Sequence, residues 1–146
     1  MKIYLDVCCL NRPFDNQTQD RIHLESEAVI TILKNIETGK WHLVNSDAIF
    51  FEINKIPDAE KKSKISLIVS KSKSYIQINK SCLFRAGEIQ KLGIKSYDAL
   101  HVASAEKAHA DVFLTTDDDL LAKLKKHTGK IKIRTENPLT WIEEVI

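Results

Sequence analysis

The sequence has 146 residues, of which 43% are hydrophobic and 29% are charged, and its formal net charge is +2. This length is sufficient for one domain with an ordinary core, so we expect a single domain over residues 1–146. No apolar run reaches the ~18–20 residues of a membrane span, and Asp6 comes too early for a secretory signal. The three cysteines lack the spacing of a disulfide framework or a zinc site. We therefore expect a cytoplasmic protein.

The first half of the chain alternates short apolar runs with segments of helical periodicity. We predict strands over residues 2–6, 41–45 and 75–78. Turn formers such as Asn11 and Pro13 predict a loop after the first strand. Helices are predicted over residues 20–37, 47 to about 57, and 58 to about 71.

The same alternation continues through the second half. We predict further strands over residues 111–116 and 131–134. Helices are predicted over residues 81–92, 96–107 and 117–126, with a last helix that Asn137 and Pro138 open. Alternating strands and helices predict a parallel sheet covered by helices on both faces, an α/β fold.

Four acidic residues are predicted to lie at one edge of this sheet. Asp6 ends the first strand, Asp117 follows the fourth, and Glu52 lies in the helix after the second. Asp98 lies in the first turn of a helix that runs antiparallel to the strands, so it reaches the same edge. Ligands of open parallel sheets bind at the carboxyl ends of the strands, and we therefore expect a negatively charged cleft there.

Three of these acids also have a structural explanation. Asp98 can complement the dipole of its helix, which is worth roughly 0.3–1 kcal/mol. Asp117 can cap the helix that follows it, for roughly 1 kcal/mol. Asp6 can be a turn residue. Taken singly, each of the three favours its structural role.

Glu52 is harder to explain in this way. It lies within the apolar stripe of its helix, between Ile49 and Ile56, where an ionised carboxylate needs a cation or strong donors. Lys55 follows at i+3 and offers a surface ion pair as the structural alternative. His101 lies on the helix of Asp98 and can reach the cleft, although a packing or surface histidine is the more common case.

A hard divalent cation is the simplest partner for four clustered carboxylates. Mg²⁺ and Mn²⁺ prefer oxygen ligands and leave positions open for phosphate. One or two such ions would activate water and stabilise the leaving oxygen in phosphodiester hydrolysis. No GxGxxG or GxxxxGK[ST] motif is present, which excludes the common nucleotide cradles. The lysine-rich stretches at 61–73 and 123–134 are either solvated helix faces or phosphate contacts.

The motifs IYLD, SDAIFFEI, DALHVASA and FLTTDxD together resemble the PIN domain, the ribonuclease fold that includes the VapC toxins of toxin–antitoxin pairs. The resemblance covers essentially the whole chain and is most specific in YDALHVASAEKAHADVFLTTDDDL. It implies a three-layer α/β/α fold with a five-stranded parallel sheet in the order 3-2-1-4-5. It also implies an endoribonuclease that depends on Mg²⁺ or Mn²⁺, often a homodimer, inhibited by a cognate antitoxin.

The resemblance assigns roles to individual residues. The catalytic and metal-binding quartet would be Asp6, Glu52, Asp98 and Asp117. Asp119 would be an auxiliary metal ligand, and Thr115 or Thr116 would orient carboxylates or water. In the TTDDDLL stretch, Asp118 is expected to face solvent, because consecutive helical residues point about 100° apart.

Two features depart from the family pattern. Many PIN domains have Ser or Thr after the first acid, whereas this chain has Val7. The segment CCLNRPFD also differs, and its Asn11 and Arg12 are polar groups that the cleft could use. The leading hypothesis is a metal-dependent endoribonuclease that hydrolyses RNA. The alternatives are a non-catalytic RNA-binding or protein-interaction module with the same fold, and a nuclease that acts on DNA.

Overall fold

The computed structural model describes residues 1–146, and a parallel sheet of five strands lies at its centre. The strand order is β3-β2-β1-β4-β5, which confirms the order 3-2-1-4-5, and every neighbouring pair is parallel. The strands are β1 (Lys2–Leu5), β2 (His42–Ser46), β3 (Ser74–Ile76), β4 (Val112–Leu114) and β5 (Thr135–Glu136).

Eight α-helices surround the sheet. They are α1 (Val7–Asn11), α2 (Asp20–Glu37), α3 (Asp47–Asn54), α4 (Ala59–Val69), α5 (Lys80–Gln90), α6 (Ser96–Lys107), α7 (Asp118–Lys126) and α8 (Pro138–Val145). Connections between parallel strands are right-handed as a rule, so with this strand order α2 and α4 are expected on one face and α5 to α7 on the other, which makes three layers. None of these helices combines the length and the apolar character needed to cross a membrane.

The central strands are buried on both faces, as the continuous apolar runs predict. Ile3, Tyr4 and Leu5 of β1 are inaccessible to solvent, and so are Phe113 and Leu114 of β4. They belong to a single cluster of 34 buried residues. Tyr4 stacks on Phe113 with ring centroids 5.5 Å apart. The carboxyl ends of β1 and β4 are therefore held side by side by the core itself.

The prediction of a loop directly after β1 is wrong. Residues 7–11 form α1, and Arg12–Phe14 form a 3₁₀ turn. The Asp6 side-chain carboxylate accepts a hydrogen bond from the Val7 backbone N–H at 2.8 Å, and the Asp6 backbone carbonyl accepts one from the Cys9 N–H at 2.9 Å. Cys9 and Leu10 are buried in the core. Burial of these apolar side chains, together with the Asp6 cap, outweighs the turn-forming residues nearby.

The prediction of a strand over residues 131–134 is also wrong, because β5 consists of Thr135 and Glu136. Phe113 N–H donates to the Arg134 carbonyl at 2.8 Å, and Thr115 N–H donates to the Glu136 carbonyl at 3.1 Å. The alternation of apolar residues before Arg134 reflects side chains of an irregular segment that pack into the core, and the ladder begins only where the backbone reaches β4.

Candidate metal centre

Asp6 is buried at the carboxyl end of the central strand and is only 5% exposed. Its Oδ1 accepts the Val7 N–H, and its Oδ2 accepts the Thr115 hydroxyl at 2.9 Å. The Cys8 thiol lies 3.4 Å from the same Oδ2. Burial raises the pKa of Asp6, and the charge of His101 and the Thr115 hydrogen bond partly offset that rise. The carboxylate is thus fixed in orientation but costly to ionise without a cation.

Thr115 links Asp6, which follows β1, to Asp117, which follows β4. Its hydroxyl donates to Asp6 and accepts the Asp117 backbone N–H at 3.1 Å. Thr116 is also buried, but the contact that it makes here is from its backbone N–H to the Cys8 Sγ, at 3.4 Å. Of the two threonines expected to support the cleft, Thr115 is the one whose hydroxyl contacts a carboxylate.

Glu52 is held by a histidine. His101 Nε2 lies 2.8 Å from Glu52 Oε1, and His101 Nδ1 lies 2.7 Å from the Tyr4 hydroxyl. Tyr4 is in turn 2.7 Å from the Ser46 hydroxyl, so a buried chain of hydrogen bonds runs from the cleft into the core. One ligand atom from each of Asp6, Glu52 and His101 lies within 4.8 Å of the other two.

His101 therefore has a larger part than the sequence indicated. It is inaccessible to solvent and satisfied at both ring nitrogens, as a packing histidine is, yet it lies directly in the acidic cluster. Burial lowers its pKa, but the Glu52 hydrogen bond and the charges of Asp6 and Glu52 outweigh burial, so its pKa is raised. The signal in the sequence was its position three residues after Asp98, on the same helix face.

Lys55 does not pair with Glu52, so the surface ion pair considered as an alternative is absent. Its ammonium donates instead to the Tyr97 hydroxyl at 2.7 Å. The Glu52 carboxylate contacts His101 instead.

Asp98, Asp117 and Asp119 line one small pocket at this edge, together with Lys95 and Lys123. Burial raises the pKa of Asp98 to about 6, with further contributions from the charges of Asp6 and Asp117. Asp117 Oδ1 caps α7 by accepting the Leu120 N–H at 3.1 Å. The capping role and the cleft position of Asp117 therefore coexist, because one oxygen is sufficient for the cap.

Asp118, by contrast, is directed away from this pocket. It is exposed, and its two oxygens accept hydrogen bonds of 2.5 and 2.6 Å from the Arg21 guanidinium of α2. Its pKa is lowered by this hydrogen bond. The three consecutive aspartates are separated as expected, although Asp118 is bound to an arginine and does not simply face solvent.

Arg12 and Asn11 contribute less to the cleft than the sequence suggested. The Arg12 guanidinium forms ion pairs with the buried Glu25 at 2.9 Å and with Asp15 at 3.1 Å. The Asn11 Oδ1 is buried and has no hydrogen-bond partner. The structure brings Asp6, Glu52 and His101 into one cluster and Asp98, Asp117 and Asp119 into one pocket, whereas Arg12 is committed to Glu25.

The donor set fits a hard divalent cation. No lysine or arginine forms an ion pair with Asp6, Glu52, Asp98, Asp117 or Asp119, and His101 is the one basic side chain that contacts any of them. Carboxylate oxygens suit Mg²⁺ and Mn²⁺, and the excess of negative charge requires compensation.

Comparison with known proteins agrees with this fold. A family profile described as "PIN domain" matches residues 3–126. Similar solved structures include FitAcB from Neisseria gonorrhoeae, at 15% identity and a TM-score of 0.61, covering 93% of this chain and 97% of that one. No curated protein matches the sequence.

Two VapBC structures are also similar. VapBC-1 from nontypeable Haemophilus influenzae has 17% identity and a TM-score of 0.58, covering 94% of this chain and 98% of that one. VapBC2 from Rickettsia felis, bound to a DNA fragment from its promoter, has 19% identity and a TM-score of 0.55, with coverage of 94% and 98%. At these identities the likeness establishes the fold.

The Thr115 hydroxyl should contribute measurably to stability. Thr115→Val keeps the shape but removes the hydroxyl that donates to the Asp6 carboxylate and accepts the Asp117 N–H. We therefore expect a loss of about 1–3 kcal/mol in the free energy of unfolding, measured by urea denaturation. Thr115→Ser keeps the hydroxyl and should retain most of the stability of the unaltered protein. Thr116→Val is the matched control, since Thr116 contacts the site through its backbone. Equal losses for the two valine variants would contradict this role.

Ionised Asp98 should destabilise the metal-free protein. The folded pKa of about 6 lies above the ordinary value of 3.8, so stability is full below that ordinary value and falls as pH rises toward 6. We expect Asp98→Asn in EDTA to raise the melting temperature by a few degrees at pH 8 and by less at pH 5. Glu143→Gln, which removes an exposed carboxylate of α8, is the control. A gain independent of pH would count against the electrostatic cause.

Proposed function

This chain belongs to the PIN domain family, a family of nucleases in general, and from that premise we propose that it is a metal-dependent endoribonuclease that hydrolyses phosphodiester bonds of RNA. The observation that carries the proposal is the set of five carboxylates at the carboxyl edge of the sheet, none of which has a lysine or arginine partner. Such a set is costly in isolation and becomes favourable with a cation. The family match supports the same chemistry from an independent side.

We assign ion binding to Asp6, Glu52, Asp98 and Asp117, with Asp119 as an auxiliary ligand. One or two Mg²⁺ or Mn²⁺ ions, when bound, would supply charge for the phosphate oxygens and make water a better nucleophile. The chain's own task is to hold the carboxylates in place before the substrate arrives. Thr115 fixes Asp6, and His101 fixes Glu52.

The departure at Val7 does not weaken this assignment. Val7 is buried as the first residue of α1, where a hydroxyl would have no obvious role in the core. Asp6 already accepts side-chain hydrogen bonds from the Thr115 hydroxyl and the Cys8 thiol, so it does not need one from a serine or threonine at position 7. This local compensation favours the catalytic proposal over a non-catalytic module with the same fold.

Substrate phosphates would meet lysines at the rim of the cleft. Lys95 and Lys123 line the same pocket as Asp98 and Asp117. Positive side chains around an acidic centre let a polyanion approach while the acids remain free for metal. These contacts do not distinguish RNA from DNA, so the substrate assay must include both.

Partners and location extend the proposal. VapC toxins pair with antitoxins, and two similar structures are VapBC proteins, which supports a cognate antitoxin here. The homodimer is proposed from the family resemblance alone. All three cysteines are free thiols, which suits the reducing cytoplasm that we propose. The single cluster of 34 buried residues supports one domain over residues 1–146.

Neutralising a quartet acid should abolish cleavage. We expect Asp6→Asn and Asp117→Asn to lower the rate of RNA hydrolysis in Mg²⁺ or Mn²⁺ by at least about 100-fold, because the metal loses a charged ligand. Asp118→Asn is the matched control within the same aspartate run, and its rate should stay within about threefold. A panel of RNAs and single-stranded DNA, with EDTA as blank, gives the rates. Folded Asp6→Asn protein with undiminished activity would refute the assignment.

Metal should stabilise the protein. At a concentration about 100 times its Kd, an ion that binds only the folded state adds about 2.7 kcal/mol, so we expect Mn²⁺ to raise the melting temperature by roughly 5–10 °C. The rise should largely vanish in Asp6→Asn and persist in Asp118→Asn, as followed by circular dichroism. An unchanged melting temperature at millimolar Mn²⁺ would argue against an assembled centre.

A further inference from the structure

Lys55 and Tyr97 contact each other at the rim of the acidic cleft. The Lys55 ammonium donates to the Tyr97 hydroxyl at 2.7 Å and lies 4.3 Å from the centroid of the tyrosine ring. The pair joins the end of α3 to the first turn of α6. The same two helices are also joined by the contact between Glu52 and His101.

The two contacts are one helical turn apart. Lys55 follows Glu52 by three residues, and Tyr97 precedes His101 by four, so each pair shares a helix face. A turn is about 5.4 Å long, so Lys55 lies one turn along α3 from Glu52, and Tyr97 lies one turn along α6 from His101.

Lys55 is chemically available to an anion. It is exposed, and the one partner of its ammonium is the Tyr97 hydroxyl. Lys64 and Lys71, by contrast, form ion pairs with Glu60 and Glu37. The partner of Lys55 is a neutral tyrosine, which orients the ammonium without neutralising it.

Aromatic surface continues from this lysine. Tyr97 is 37% exposed and Phe51 is 46% exposed. Phe51 precedes Lys55 by four residues and therefore lies on the same face of α3. Exposed rings interleaved with a cation are what single-stranded nucleic acids use for base stacking and backbone binding. Here they adjoin the centre assigned to hydrolysis.

We propose that Lys55, Tyr97 and Phe51 form a nucleotide-binding subsite for single-stranded RNA at the rim of the cleft. Lys55 binds a backbone phosphate that neighbours the scissile one, and an adjacent base stacks on Tyr97 or Phe51. The subsite rests on the proposed ribonuclease function, and it adds the residues that position an unpaired strand. Base pairing would hide the faces that stack, so the subsite selects single strands over duplexes.

Binding without cleavage tests the subsite directly. We would measure fluorescence anisotropy of a labelled single-stranded oligoribonucleotide in EDTA, over a series of salt concentrations. Lys55→Gln should weaken binding and lower the slope of log K against log salt by about 0.7, the value for one phosphate contact to a single strand. Lys107→Gln removes the same charge from the far end of α6 and should change neither quantity.

The aromatic part has its own variants. Tyr97→Leu and Phe51→Leu should each weaken binding about five- to tenfold through loss of stacking. Tyr97→Phe keeps the ring and removes only the hydroxyl, so its affinity should stay within about threefold. Duplex RNA of the same sequence should bind less tightly than the single strand to the unaltered protein and should be insensitive to Tyr97→Leu.

Kinetics separates this proposal from the proposed function. In Mn²⁺, Lys55→Gln should raise KM about five- to tenfold and leave kcat within about twofold. If the unaltered protein cleaves no RNA, the ribonuclease proposal fails, while binding in EDTA still decides the subsite. No measurable RNA binding, or equal affinities and salt slopes for Lys55→Gln and Lys107→Gln, would overturn the subsite. A change of molecular mass in light scattering for Tyr97→Leu, with RNA affinity unchanged, would show a protein interface instead and would also overturn it.

Discussion

Asp6 is buried at the carboxyl end of the central strand, and its carboxylate accepts hydrogen bonds from the Val7 N–H, the Thr115 hydroxyl and the Cys8 thiol. The rest of the site depends on this group. The hydrogen bond from Val7 caps α1, and the one from Thr115 joins the end of β1 to the end of β4. The same hydrogen bonds therefore stabilise the local fold and orient the carboxylate. Because burial raises the pKa of Asp6, its ionised form needs compensation from outside the side chains that hold it.

Within the protein, His101 is the one basic side chain that forms a hydrogen bond with a carboxylate of the cleft. That side chain contacts Glu52 and is anchored through Tyr4 to the core, so the charge nearest to the cluster is fixed by buried hydrogen bonds. One histidine is too little for the carboxylates that surround it, since the pKa values of Asp6 and Asp98 remain raised. The fold therefore maintains an electrostatic imbalance at one edge of the sheet, which the divalent ion proposed above would relieve.

The aspartates after β4 show how one short stretch divides its functions. Asp117 caps α7 with one oxygen and lines the pocket, Asp119 lines the same pocket, and Asp118 is bound to Arg21 of α2. Arg21 also contacts the buried Glu25, which binds Arg12 as well. This network anchors the start of α7 from outside the cleft. It also explains why Arg12 is not available to substrate.

The sequence by itself determined the alternation of elements, the parallel sheet and the four acids at its edge, because these follow from local periodicity and from the direction of each strand. It also predicted that the side chains of Asp117 and Asp118 point in different directions. Only the tertiary structure decided the contacts between distant elements. His101 contacts Glu52, Arg12 pairs with Glu25, and it is the hydroxyl of Thr115, not that of Thr116, that binds Asp6. The tertiary structure likewise decided that residues 7–11 are helical and that β5 starts at Thr135. The side-chain contacts depend on partners far apart in the chain, and the start of β5 depends on where β4 offers free backbone groups. No local pattern in the sequence encodes either.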